Sequence, residues 1–118
     1  MTTVDQFLKA LAIVESSDNP EAWGDAGRAM GRWQVHPDAL WVHAHSLGIV
    51  PTLGDTWDQL VGRVLRAIFA VYAAKYSPEI IAMYWHLGHW TDDEQPDWDA
   101  KYAVRFMAAL ANAIAEMP

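Results

Sequence analysis

Cysteine is absent from the chain of 118 residues, which excludes a disulfide framework, a thiolate nucleophile and any sulfur-based metal site. Positive charge is scarce, with 8 Lys and Arg against 15 Asp and Glu and a formal net charge of -7. No basic stripe is left to neutralise phosphates, so no nucleic-acid partner is expected. The same acidity gives no long-range attraction to anionic walls or membranes, and binding to such a polymer would rest on short-range contacts. No apolar run approaches the ~18 residues of a membrane span. The start MTTVDQFLKALAIVESS lacks the basic head, long apolar centre and small-residue cleavage site of an export signal, so neither export by a leader nor membrane insertion is expected.

What is present is apolar. Hydrophobic residues make up 53% of the chain and charged ones 19%, enough buried surface to offset the entropy of ordering. The length suits one domain over residues 1–118, with no repeat or linker to divide it. Val4, Phe7, Leu8, Leu11, Ala12 and Val14 recur with helical period, and Asn19-Pro20 and Gly24 end that segment. A second helix is expected after Pro37, with Asp38 as N-cap and Leu40, Trp41, Ala44 and Leu47 along it, stopping at Gly48. A third runs from about Thr56 to Tyr76. Ser77-Pro78 then reads as N-cap and first position of a fourth, closed by Gly88. After the acidic loop HWTDDEQPD, a last helix from about Asp97 to Glu116 carries Tyr102, Phe106, Leu110 and Ile114. The fold class is therefore all-α, about five helices with a long glycine-rich loop and at most a very short β-hairpin, its strands sought within Gly31 to Val35.

One polar residue interrupts the apolar stripe of the first helix. If the helix continues to residue 15, Glu15 follows Leu8 by seven residues, Leu11 by four and Ala12 by three, on the face turned to the core. Burial disfavours a charged carboxylate and raises its pKa, which suits a general acid near neutral pH. On pattern alone a frayed helix end, with Glu15 turned to solvent or bonded to the backbone of the following loop, is the commoner outcome. Asp25, in the Gly24-Asp25-Ala26-Gly27 turn, is a second carboxylate that returns toward the first helix, or an ordinary turn residue bonded to its own backbone. Asp18 reads as a solvated loop residue.

The order Glu15-Ser16-Ser17, Asn19-Pro20, Gly27, Ala29-Met30-Gly31, Gln34 and Pro37 resembles the lysozyme-like lytic transglycosylase family. That family's hallmark is a helix ending in Glu-Ser, an Asn-Pro loop and a Gly-x-x-Gln closing toward Pro. The spacing carries one extra residue, Arg28, and Arg32-Trp33 stands where Leu-Met is usual. The form WGDAGRAMGRWQVHP is closer to the phage and invertebrate-type lysozyme branches. About fifty residues on, Met83-Tyr84-Trp85-His86-Leu87-Gly88 stands where the family has Ala-Tyr-Asn-x-Gly. Aligned on Gly88, Trp85 takes the place of the Tyr and His86 that of the Asn; shifting by one restores Tyr84 and loses the glycine. The closing DWDAKYAVRF is similar to the family's Tyr-containing last helix.

The resemblance implies a lysozyme-like muramidase or lytic transglycosylase that cuts the β-1,4 bond between N-acetylmuramic acid and N-acetylglucosamine, with Glu15 as general acid/base and Asp25 as its possible partner. Transglycosylases use the sugar's own 6-hydroxyl as nucleophile and need no second carboxylate, whereas hydrolysis uses water or an enzyme carboxylate. The substrate-binding set it implies is Ser16, Gly31, Trp33, Gln34, Tyr84, Trp85 and His86, taking peptidoglycan glycan strands or chito-oligosaccharides without any cofactor. Gln34 offers a donor and an acceptor for acetamido groups, and Gly27 and Gly31 allow close backbone approach. Such an endolysin-like protein would act as a monomer, held in the cytoplasm until released, or carried on a phage particle or secretion machine.

Of the 7 tryptophans, Trp41 and Trp57 lie at helical spacing and read as packing residues, whereas Trp33, Trp85 and Trp23 flank the motif positions that line a groove. His43 and His45 point to different helix faces, and His86 and His89 lack a His-Glu-x-x-His frame, so no metal site is expected. The rival reading is a glycan-binding or structural descendant that keeps the fold without turnover. The altered Tyr-Asn segment favours it. A helical partner-binding module using a Trp-rich face has no motif behind it.

Overall fold

The computed structural model describes residues 2–88 and 99–118. Among them it forms five α-helices and one two-stranded sheet, in the order α1 (Val4–Ser16), β1 (Trp23–Gly24), a 3-10 turn (Asp25–Gly27), β2 (Ala29–Met30), α2 (Pro37–Ser46), α3 (Trp57–Tyr72), α4 (Pro78–Leu87) and α5 (Ala100–Glu116). The chain is mainly helical, as expected. No described helix is long and apolar enough to cross a membrane.

Helix α1 starts at a capping box: the Thr3 hydroxyl accepts the Gln6 amide and the Gln6 side chain accepts the Thr3 amide, meeting two backbone donors that the first turn leaves open. Gln6 also donates to the Met117 carbonyl at 2.6 Å. That bond ties the start of α1 to the end of α5, and Tyr102 at the start of α5 meets Glu15 at the end of α1. The two helices therefore run antiparallel, and α1 packs chiefly on α5. Between those polar ends lies the core. Phe7 is fully buried, with Phe69 of α3 at 5.0 Å and Phe106 of α5 edge-on at 5.8 Å between ring centroids, an arrangement the ring quadrupole favours.

Several boundaries differ from expectation for local reasons. His36, not Asp38, caps α2, because Pro37 suits the first helical position and confines the residue before it to extended backbone. Helix α3 stops at Tyr72, and a turn closed by the Tyr76 amide on the Tyr72 carbonyl at 2.8 Å precedes α4. On α5 the buried position near the end belongs to Ala113 while Ile114 is exposed; its first residue is Ala100, capped by Asp99, and residues 97–98 lie outside the described ones. Trp41 is exposed rather than packed, whereas Trp57 does pack on the core. The strands pair Trp23 with Met30 and Gly24 with Ala29, upstream of the segment expected to hold them. Residues 31–34 instead form a tight turn, with Gly31 and Gln34 at φ 82 and 49 and a single bridge from Met30 to Val35.

The segment between α1 and α2 holds every described non-glycine residue with positive φ: Ser17, Asp18, Asp25, Ala26 and Gln34. Alanine gains nothing from that conformation, which costs an L-residue roughly 1–2 kcal/mol. Ala26→Gly is therefore expected to stabilise the fold by up to about 1 kcal/mol after the entropy of glycine is counted. Ala113→Gly, in the α5 interior, is expected to destabilise it by at least about 1 kcal/mol. Urea midpoints for the two variants check this, and a destabilising Ala26→Gly would contradict the strain assigned to the turn.

Candidate active site

Seven residues past Leu8 on α1, Glu15 falls on the buried stripe, and its side chain is 11% exposed. The chain leaves the helix through left-handed backbone at Ser17 and Asp18 (φ 57 and 60), whose amides turn back onto the Ile13 and Ala12 carbonyls. Side chains then hold the returning loop. Ser16 accepts the Asn19 amide at 3.0 Å and donates to the Arg32 carbonyl at 2.7 Å. Asp18 is not a solvated loop residue: it receives Lys9 at 2.6 Å and Arg32 at 2.8 Å, and Arg32 continues to Asp58 of α3 at 2.8 Å. Further on, the Trp33 indole donates to the Leu8 carbonyl at 2.9 Å and the Trp85 indole to the Trp33 carbonyl at 2.8 Å. The loop is thereby fastened to α1, α3 and α4.

The result is a cleft of about 720 Å³ walled by the end of α1, the hairpin turn, the start of α2, the end of α4 and the start of α5. Glu15, Asp25, Gln34, Trp85 and His86 all line it. The sequence-derived set is brought together only in that part. Trp33 is a core residue whose ring packs over Gly62, and Tyr84 is fully buried with its ring edge-on to Tyr76. Ser16 is used in holding the loop, and Gly31 packs on Trp57 beside exposed Trp23, in a separate groove. His89, Trp90 and Trp98 lie outside the described residues. Gly88 closes α4 in the left-handed region at φ 79, and His86, two residues before it, lines the cleft beside Trp85.

Within the cleft, the Tyr102 hydroxyl donates to Glu15 Oε2 at 2.6 Å. Burial raises the Glu15 pKa from 4.5 to about 7, against the lowering effects of the Tyr102 bond and the Arg105 charge, and the Asp25 charge raises it further. Burial and the neighbouring Glu15 also push the Tyr102 phenol up, so it stays a donor. Asp25 is 70% exposed and its Oδ2 lies 2.8 Å from His36 Nε2. Gln34 donates to the Gly31 carbonyl at 2.8 Å, and its Oε1 lies so near Gly24 that a Cβ there would sit 2.2 Å away and displace the amide. His86 lies flat on Tyr102, with centroids 3.9 Å apart and planes at 12°.

Tyr102, Arg105, His36 and His43 line the cleft and were not anticipated as site residues. For Tyr102 a signal existed: a polar-tipped residue opens the buried stripe of the last helix as Glu15 closes that of the first. The others occupy positions that only the tertiary fold defines. Comparison with protein-family models, with curated proteins and with solved structures found no match.

The shift at Glu15 has a consequence for stability. Its folded pKa, about 7, lies above the ordinary 4.5, so the native state holds the proton more tightly than the unfolded chain. The stabilisation is complete below pH 4.5 and is lost as pH rises through 7, by on the order of 3 kcal/mol. Glu15→Gln keeps an acceptor for Tyr102 and removes the titration. Its melting temperature is expected to match that of the parent chain at pH 4 and to exceed it increasingly toward pH 8; parallel profiles in thermal melts would contradict a buried, raised carboxyl.

Proposed function

We propose that the protein cleaves the β-1,4 bond between N-acetylmuramic acid and N-acetylglucosamine in peptidoglycan glycan strands, with Glu15 as general acid/base. The observation that carries this reading is the buried Glu15 carboxyl, held by Tyr102 at 2.6 Å in a cleft and protonated up to a pH of about 7. The motif resemblance from Glu15 to Gln34 supplies the substrate. Glu15 gives its proton to the glycosidic oxygen as the bond to the anomeric carbon breaks and an oxocarbenium-like state develops. When the sugar's own 6-hydroxyl is the nucleophile, the resulting carboxylate then takes the proton of that hydroxyl.

Two nucleophiles are compatible with this chemistry. If the sugar's own 6-hydroxyl attacks, Asp25 has no chemical role and the product carries an anhydro end. If water attacks, Asp25 with its His36 partner is the base on the cleft wall, and the product carries a reducing end. Trp85 and Gln34 are assigned to substrate contact, Trp85 as a flat apolar edge and Gln34 through its amide. A wall-degrading protein of this kind works after release by lysis, or carried on a phage particle or secretion machine.

The test is clearing of purified cell walls, followed by mass spectrometry of soluble muropeptides. The parent chain is expected to clear walls, and Glu15→Gln to lose on the order of 10²–10⁴ in rate while remaining folded. Equal activity in the variant would remove Glu15 from the mechanism. Binding of chito-oligosaccharides by the parent chain with no product formed would favour the non-catalytic reading.

A further inference from the structure

Two groups approach the same oxygen of Glu15: the Tyr102 hydroxyl at 2.6 Å and His86 Nδ1 at 3.8 Å from Oε2. The other nitrogen of that imidazole, Nε2, lies 3.4 Å from Asp99 Oδ2. Asp99 is also the cap of α5, its Oδ1 accepting the Tyr102 backbone amide at 3.0 Å. With the imidazole stacked on the Tyr102 ring, the four residues close a circuit. Asp99 holds the backbone of Tyr102 and faces the imidazole, and the imidazole and the phenol converge on one carboxyl oxygen.

We propose that Asp99 and His86 form a relay that sets the charge state of Glu15, with His86 as a positioning residue for the acid and Asp99 acting on Glu15 through the imidazole. This rests on the reading of Glu15 as the proton donor. When its proton passes to the glycosidic oxygen and the carbon–oxygen bond breaks, a carboxylate appears where burial opposes it. The imidazole lies between two carboxylates, 3.8 Å from Glu15 and 3.4 Å from Asp99, where its N–H dipole or charge can offset the charge that appears on Glu15. The other charges acting on the carboxyl are Arg105 on α5, which favours ionisation, and Asp25 in the hairpin turn, which opposes it. His36 pairs with Asp25, and His43 stacks on Trp85.

The sign of one substitution separates a relay from a simple field. Asp99→Asn keeps an oxygen to cap α5 and removes a negative charge. Acting directly across space, loss of an anion would lower the pKa of Glu15. Acting through His86, it weakens the contact that orients the imidazole toward the carboxylate and raises the Glu15 pKa. The experiment is a carboxyl-carbon NMR titration of Glu15 in the full chain, for the parent, Asp99→Asn, His86→Phe and the double variant.

Asp99→Asn is expected to raise the Glu15 midpoint, and His86→Phe, which preserves the ring stack, to raise it by about one pKa unit. Adding Asp99→Asn to His86→Phe is expected to raise it no further. A fall or no change in Asp99→Asn, or an equal rise when His86 is already replaced, would overturn the relay. Intact walls after treatment with the parent chain, with the titration shifts in place, would leave the relay standing and remove the catalytic reading of Glu15.

Discussion

The hydrogen bond from Tyr102 to Glu15 closes one end of the antiparallel α1–α5 pair, as the bond from Gln6 to Met117 closes the other. The helices meet over their apolar stripes, and polar groups sit only at the ends of that contact. A carboxyl at such an end is buried by the same packing that forms the core. Its chemistry is thus a by-product of helix docking rather than of a separate cavity. Moving the α1–α5 contact by one turn would leave Glu15 either in solvent or without its phenol.

The loop that completes the cleft depends on fastenings outside the cleft. Arg32 bridges Asp18 and Asp58, and the indoles of Trp33 and Trp85 pass hydrogen bonds from α4 through the loop to α1. Buried indoles need partners for their N–H groups, and here each partner is a backbone carbonyl at a junction. These contacts let five non-glycine residues persist at positive φ in one short segment. Strain of that kind survives only where the surroundings over-determine the backbone, and it is concentrated in the segment that carries Asp25 and Gln34 to the cleft.

Much of the helical frame was readable because each helix has a clear apolar period and a recognisable stop, such as Ser77-Pro78 or Gly88. The spacing to Leu8 and Leu11 put Glu15 on the buried stripe provided that the helix reached residue 15, as it does. The hairpin was misplaced because strands of two residues carry no periodicity to read. Trp33 and Tyr84 were expected at a groove and lie in the core, since a large amphipathic ring serves stacking or packing equally well until its neighbours are known. Tyr102 was visible as a stripe residue, but its pairing with Glu15 requires the antiparallel docking of the first and last helices. Helical period alone does not specify that.

The placement of Glu15 also explains why its acid form persists. It lies in the last turn of α1, at the negative end of the helix dipole, and no basic residue stands in that turn. Burial and Asp25 oppose ionisation, while Tyr102 and Arg105 support it. The balance leaves a group able to hold a proton at neutral pH and to release it to a stronger acceptor. Stability is the opposing quantity, because each interaction that keeps the proton on Glu15 weakens the native state once the proton leaves.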